Sequence, residues 1–249
     1  MSWVETESPS FTARHAERDA QDVVGVLELL ESTRERLAPV LPELPSHLEV
    51  VVHSSTAQLT VAQPVLPVLR RLTAPSARRY VGGWFTAREL HMLAPRLLAD
   101  RASNVPGSRE MLMLTPAALY AQLAVGSRSP VLPPPLRPWG VPRYRRWAWL
   151  GAGAGAWLSG QTAHARPAIA RRLREGRAPS FPPGARDALL LGGTVFDLVA
   201  VDMGEAAAVR LALEPMGSPR DALRDAFHGR DPVHTEGAWR AHLARLAAV

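Results

Sequence analysis

Side chains able to ligate a metal or transfer a proton are sparse in this chain, and few of them stand at spacings that define a site. His228 and His234 flank the run Gly-Arg-Asp-Pro, so together with Asp231 they bring two imidazoles and one carboxylate to one stretch of loop. Imidazole and carboxylate are good ligands for zinc. A pair of histidines in a polar loop is more often solvent-exposed than ligating, so we expect no metal site there.

Several kinds of enzyme are excluded by residues that the chain lacks. The sequence contains no cysteine and no lysine, and all 29 basic residues are arginine. Thiolate zinc sites and cysteine nucleophiles are therefore excluded, as are Walker A loops, Schiff-base lysines and Ser-x-x-Lys acyl enzymes. The Gly-x-Ser-x-Gly sequence of serine hydrolases is also absent. A coding bias toward Arg, Ala, Gly and Pro explains the missing lysines better than a functional demand does.

The charge is unevenly distributed along the 249 residues, whose formal net charge is +6. Residues 137–186, from Arg137 to Arg186, contain ten arginines and one acid, and we call them the basic stripe. Residues 5–49 contain ten acids and four arginines. A basic stripe is either a footprint for nucleic acid or an acidic partner, or a solvated face that the chain's own acidic region neutralises. The second interpretation is favoured, because no nucleic-acid-binding motif accompanies the stripe.

The hydrophobic pattern predicts an α+β, mostly α-helical fold, in which a small N-terminal mixed sheet with an edge strand is followed by a helical lobe. Residues 1–15 are polar and contain Ser-Pro-Ser, so we predict a disordered tail. Residues 16–108 are predicted to form an N-terminal helix and a small β-sheet subdomain, and residues 109–249 the helical lobe. A composition of 47% hydrophobic and 21% charged residues is that of a globular chain.

Periodicity places the elements of the N-terminal part. Apolar residues at helical spacing predict a helix from Ala16 to Leu37, which the following prolines end. Leu48–His53 is rich in β-branched residues and predicts a strand. Tyr80–Phe85 predicts a turn, and Arg88–Leu93 predicts a second strand. One face of that strand carries Glu89, His91 and Leu93.

Two apolar segments joined by a proline-rich loop, residues 127–142, form the centre of the predicted helical lobe. In the first, Arg109–Gly126, Pro116 cannot lie inside a helix. We therefore predict irregular chain over Met111–Leu114, an N-cap at Thr115, and a helix that ends at Val125 with Gly126 as its C-cap. The second segment, Arg146–Gly160, predicts a helix over residues 144–158, whose three alternate glycines permit close packing. Further helices are predicted at residues 167–175, 186–203, 205–213, 219–227 and 236–246.

The run Trp149-Leu-Gly-Ala-Gly-Ala-Gly-Ala-Trp-Leu-Ser-Gly160, together with the apolar segment before it, resembles the gluzincin zinc peptidases in their peptidase-MA-like form. In that family the first helix carries His-Glu-x-x-His, and the second carries a Glu in a Trp-Leu-x-Glu-Gly run. Ala152 stands at the position of that second-helix Glu. The residues placed on the first His, the Glu and the second His are Ala118, Leu119 and Gln122.

A placement that begins at Thr115 instead stays open. No histidine occurs between His91 and His164, so either placement lacks both His ligands. The resemblance therefore implies a zincin-like body with no catalytic residues, no metal ligands and no cofactor. It also implies that the strand before the first helix is a sheet edge that pairs with an extended peptide. The residues expected along that edge and its groove are Trp84, Glu89, His91, Leu93 and Trp149.

These observations lead to the hypothesis of a catalytically inactive metallopeptidase-like domain, a pseudoenzyme that binds a peptide or protein partner or serves a structural role. The alternative is an arginine-rich helical adaptor that uses the basic stripe to bind nucleic acid or an acidic partner. The acidic N-terminus lacks the apolar segment of a secretory signal, and the longest apolar run, Trp147–Leu158, is too short to span a bilayer. We therefore predict a cytoplasmic chain with no membrane span, and the oligomeric state stays open.

Overall fold

The computed structural model, which describes residues 2–129, 132 and 140–248, contains a five-stranded mixed sheet and twelve α-helices. Three of these helices lie between strands of the sheet, and the other nine follow its last strand. This arrangement confirms the α+β, mostly α-helical class. The strands are β1 (Trp3–Glu7), β2 (Phe11–Ala16), β3 (Leu48–His53), β4 (Gly83–Phe85) and β5 (Glu89–Leu93).

The helices fall into a shorter N-terminal group and a longer C-terminal group. The first group is α1 (Ala20–Leu37), α2 (Thr56–Ala62), α3 (Val65–Leu72), α4 (Pro95–Ala99) and α5 (Ser108–Met113). The second group is α6 (Thr115–Arg128), α7 (Val141–Leu158), α8 (Arg166–Leu173), α9 (Ala188–Met203), α10 (Glu205–Leu213), α11 (Pro219–Ala226) and α12 (Pro232–Ala247).

The N-terminal residues form a β-hairpin, so the prediction of a disordered tail over residues 1–15 is wrong. β1 and β2 pair antiparallel, and β2 joins the rest of the sheet by pairing parallel with β3. The turn between them is held by Glu31 of α1, whose carboxylate accepts hydrogen bonds of 2.7 Å from Ser8 Oγ and from Ser10 N. Phe11 and Ala13 are fully buried. Partners distant in sequence therefore order a stretch whose own composition is polar.

The sheet has the order β1-β2-β3-β5-β4, which corrects the predicted edge. β3 keeps its predicted bounds, and β5 lies inside the sheet, parallel to β3 and antiparallel to β4. The prediction that the strand at Arg88–Leu93 forms the sheet edge is therefore wrong. The cause is Gly83–Phe85, read from the sequence as a turn, which runs back along β5 and takes the outer position itself.

Helix α7 lies between α6 and α9 at the centre of the molecule, and its glycines allow the close approach that their spacing predicts. Gly155 lies against the Ala118 carbonyl and the Gln122 side chain of α6. On the other side, a methyl group on Gly153 would come within 2.6 Å of the Gly192 carbonyl oxygen of α9. Backbone therefore packs directly against backbone at the α7–α9 crossing.

The segment around Pro116 is helical on both sides, so the prediction of irregular chain over Met111–Leu114 is wrong. Gly107, at φ +80°, precedes α5, and Leu114 joins α5 to α6. Pro116 is the second residue of α6, where its missing N–H needs no partner. α6 also continues past Gly126 to Arg128, so neither the N-cap at Thr115 nor the C-cap at Gly126 is as predicted.

The other helices that were predicted lie within a few residues of their predicted bounds, and α10 matches them at both ends, whereas α3 and α4 were not predicted. α12 differs at both ends and begins at Pro232. Asp231 caps this helix, because one of its carboxylate oxygens accepts hydrogen bonds from the backbone N–H groups of Val233 at 2.8 Å and His234 at 3.4 Å.

Candidate functional site

A pocket of about 150 Å³ lies where α6 and α7 cross beside strand β4, and we call it the α6–α7 pocket. Ala118, Leu119, Gln122 and Ala152, the four positions that the sequence singled out, all line it. Thr115 lines it as well, so both placements of the His-Glu-x-x-His pattern open onto the same space. The structure thus brings the predicted positions together without choosing between the two placements.

Helix α3 contributes four side chains to the lining of the pocket, a contribution that the sequence did not reveal. The α3 side chains in the lining are Val65, Val68, Leu69 and Leu72. Val68 and Leu72 are 54% and 52% exposed, so large apolar side chains face solvent there. The run Val-Leu-Pro-Val-Leu-Arg-Arg-Leu is amphipathic at helical spacing, but prolines at 64 and 67 obscured this signal.

A few polar groups interrupt the apolar lining. Thr115 Oγ1 is buried and has no hydrogen-bond partner among the described residues. The Gln161 amide donates to Met111 O at 2.6 Å. Burial raises the pKa of Tyr144 to about 12, so its phenol keeps its proton at neutral pH and can donate a hydrogen bond. An apolar pocket with a few polar groups is the usual form of a site for a small organic group.

The α6–α7 crossing does not fit zinc or another catalytic metal. Its four key positions offer two methyl groups, an isobutyl group and one amide, and an amide is a poor substitute for imidazole or carboxylate. In the part of the chain that the structure describes, no group of three or more His, Asp or Glu residues could hold a metal ion. The Asp231 carboxylate between His228 and His234 caps α12 instead.

Among the described residues β4 pairs with β5 alone, and we call its unpaired outer side the open edge. Of the three residues of β4, Gly83 and Phe85 are buried and Trp84 is partly exposed. Gly82 O accepts a hydrogen bond from Leu93 N at 3.1 Å, and Thr86 N donates to Glu89 O at 2.8 Å. Backbone groups alternate in direction along an antiparallel strand, so those of Gly83 point away from β5. Gly83 also lines the α6–α7 pocket, which places the open edge and the pocket side by side.

Only one of the five residues expected along the edge and groove lies there. Trp84 is on β4, lines the pocket, and meets the Tyr144 ring edge-on with centroids 5.9 Å apart. As edge and groove residues the other four are wrong. Glu89, His91 and Leu93 lie on the interior strand β5, and Trp149 is 1% exposed, packed against Phe196 in the core.

His91 belongs to a polar chain, buried at its two histidines, that the sequence did not reveal. Its Nδ1 lies 3.1 Å from His53 Nε2, and its Nε2 lies 3.2 Å from Glu89 Oε2. Burial and the neighbouring His91 lower the pKa of His53 to about 4, so His53 is neutral at neutral pH. His53 Nδ1 has no partner among the described residues. The chain follows the β3–β5 pairing and is absent from the lining of the α6–α7 pocket.

The basic stripe is not one solvated surface. Arg172 is buried, and its Nη2 donates to Asp187 Oδ2 at 2.8 Å. Arg171 Nε lies 3.5 Å from Glu175 Oε1. Arg137 lies outside the described residues, as does most of the proline-rich loop. Part of the charge that suggested a nucleic-acid footprint is therefore used inside the fold.

Comparisons with protein-family models, with curated proteins and with solved structures give no match to this chain. Across the described residues, none of the helices combines the length and the apolar character needed to cross a membrane.

Proposed function

We propose that this chain is a non-catalytic peptide-binding domain, in which an extended peptide adds a strand to β4 and places one apolar side chain in the α6–α7 pocket. The observation that carries the proposal is that the open edge of β4 and the pocket share Gly83 and Trp84. Main-chain hydrogen bonds along an added strand supply affinity, and a pocket beside the strand supplies selectivity.

The size and lining of the pocket favour an apolar side chain as its occupant. An apolar protein cavity of about 150 Å³ accepts a molecule the size of benzene, so this pocket suits the side chain of Phe or Leu. The exposed side chains of Val68 and Leu72 extend the apolar surface beyond the pocket mouth. Burying such surface against a ligand contributes about 25 cal/mol per Å².

We also propose that the scaffold is gluzincin-like, as the sequence resemblance implies. Ala118, Gln122 and Ala152 line one pocket, which is where the three ligand positions of such a peptidase would meet. None of these side chains binds zinc well, and the described lining of the pocket includes no carboxylate or imidazole that could act as a general base. We therefore propose that the scaffold retains a peptide groove and carries out no hydrolysis.

Peptide binding is tested with a fluorescein-labelled positional-scanning library of acetylated, amidated hexapeptides, read by fluorescence anisotropy. We expect one position to select Phe or Leu. N-methylation of alternate residues in the selected peptide should abolish binding for one set of N–H groups and be tolerated for the other, because only one set faces β4. A library without side-chain selection, or equal tolerance of both methylated sets, contradicts the proposal.

The pocket itself is tested with Ala152→Leu, which fills the space that the peptide side chain would enter. We expect A152L to weaken the selected peptide at least tenfold and to abolish the preference for Phe or Leu. Ala163→Leu is the matched control, because Ala163 is exposed and does not line the pocket. Unchanged thermal unfolding of both variants shows that they are folded, and equal binding by both would exclude the pocket from recognition.

A further inference from the structure

Two arginines converge on one carbonyl oxygen beside the first residues of the open edge. Arg70 Nη2 of α3 and Arg101 Nη1, which follows α4, each donate to Val81 O at 3.0 Å. Arg101 Nη2 also donates to Thr56 Oγ1 at 3.1 Å. A guanidinium carries five N–H donors, so the described residues leave most donors of this pair unengaged.

The pair has no countercharge in the part of the chain that the structure describes. The ion pairs found there involve neither Arg70 nor Arg101. Both residues are partly buried. Burial lowers the pKa of Arg70, and burial together with the nearby charge of Arg70 lowers the pKa of Arg101 to about 10. Both stay protonated at neutral pH, so two cations stand side by side around a group that carries only a partial negative charge.

The position of this pair relates it to the proposed peptide site. Val81 precedes β4 by two residues, a distance of about 7 Å along extended chain. Val81 and Gly82 also line the α6–α7 pocket. A peptide strand added along β4 would therefore have a residue beside the two guanidiniums, whether the peptide ends there or continues.

We propose that Arg70 and Arg101 form an oxyanion site that binds a carboxylate of the docked peptide, from an acidic side chain or from its C-terminus. The inference rests on the proposed function and adds the chemical class of the ligand, an extended peptide with one apolar and one acidic group. Arginine recognises carboxylate through paired N–H···O bonds, which are stronger than neutral hydrogen bonds and directional. A bound carboxylate would also relieve the repulsion between the two cations.

The test compares four forms of the selected peptide at constant ionic strength. Two are neutral: the amidated peptide itself, and an amidated peptide with one Gln next to the strand-forming residues. Two carry a carboxylate: an amidated peptide with Glu in place of that Gln, and the peptide with a free C-terminus. We expect the Glu form or the free acid to bind about tenfold more tightly than the neutral forms. The form that gains affinity identifies the source of the carboxylate. Equal affinity of all four forms overturns the inference while leaving the proposed function intact.

Arg70→Gln is the informative variant, because Arg101 still donates to Val81 O and the local structure keeps that hydrogen bond. We expect R70Q to remove the roughly tenfold preference for the acidic peptide and to leave the neutral peptide unaffected. Arg71→Gln is the matched control, since Arg71 is exposed on the same helix and outside the pair. If R70Q and R71Q lose the preference for the acidic peptide equally, only the net charge of the protein matters, and the inference is overturned.

A second measurement does not depend on peptide binding. Inorganic phosphate, compared with chloride at equal ionic strength, should raise the Tm of the native chain and of R71Q more than that of R70Q. If no peptide binds but this difference is present, the proposed function fails and the oxyanion site stands with a different ligand. If the phosphate effect is the same in all three proteins, the oxyanion site is rejected whatever the peptide result.

Discussion

At the scale of single residues, the polar chain Glu89–His91–His53, buried at its two histidines, shows how sheet pairing brings together groups whose sequence spacing gives no signal. The two histidines are 38 positions apart and meet because β3 and β5 pair in parallel. Their rings stack with centroids 5.4 Å apart, and the Trp3 ring meets His53 edge-on at 6.4 Å. His53 therefore faces an imidazole and an indole, and water has little access to it.

The buried position of His53 predicts a pH-dependent stability. Burial and His91 hold its folded-state pKa at about 4, below the ordinary value of 6.5, so only the unfolded chain gains this proton between pH 6.5 and pH 4. Stability therefore falls as the pH decreases through that window. Between pH 7 and pH 5 we expect His53 to account for a loss of about 2 kcal/mol, measured as unfolding free energy in urea.

The variant His53→Asn should remove most of that loss, because Asn does not titrate. His47→Asn is the control: His47 is exposed, and its φ of 55° is one that Asn adopts readily. If H53N and H47N lose the same stability between pH 7 and pH 5, His53 does not cause the pH dependence.

At the scale of elements, α1 and the helices from α6 onward were predictable from the sequence, whereas α3, α4, α5 and the strand pairing were not. Helical periodicity is a local signal, which is why both ends of helix α10, Glu205–Leu213, were predicted correctly. Strand order depends on partners far along the chain, so Arg88–Leu93 was predicted as a strand but placed at the wrong position in the sheet. The hairpin at residues 3–16 was missed for the same reason, since its stability comes from β3 and α1.

The candidate site was likewise predictable only in part. Four of its positions on α6 and α7 followed from the resemblance and do line one pocket. The contribution of α3 did not follow, because α3 and the start of α7 are brought to the same pocket only by the tertiary structure. The pair Arg70–Arg101 had no sequence signal at all, as its members lie 31 positions apart, one on α3 and the other just after α4.

The helix crossing between α7 and α9 predicts that Gly153 is required where Gly151, in the same alternate run, is not. Gly153→Ala should destabilise the fold by about 1–3 kcal/mol, because its methyl group would meet the Gly192 backbone, which cannot move aside alone. Gly151→Ala should be neutral or stabilising by up to about 1 kcal/mol, since its methyl group would lie 3.6 Å from the Leu132 side chain, an ordinary contact. Urea denaturation of both variants checks this, and equal effects would exclude a special role for the crossing.

At the scale of the whole molecule, the question is whether the α6–α7 crossing has the body plan of a zinc peptidase. Such a plan places an i, i+4 pair on one helix opposite a residue of the next helix. Ala118 and Gln122 form such a pair, and both pack against Gly155, three residues after Ala152 on α7. Ligands installed at these positions should therefore converge on one point in the pocket.

The triple variant Ala118→His, Gln122→His, Ala152→Glu should bind about one equivalent of zinc, with a rise in Tm on zinc addition, because metal that binds only the folded state stabilises it. The variant Thr115→His, Leu119→His, Ala152→Glu installs the same ligands in the other placement and should bind zinc more weakly, since Thr115 and Leu119 are not the residues in contact with Gly155. Competition with a chromophoric chelator measures both affinities. Tighter binding by the second variant would shift the placement to Thr115, and weak binding by both folded variants would mean that the crossing does not have the gluzincin geometry.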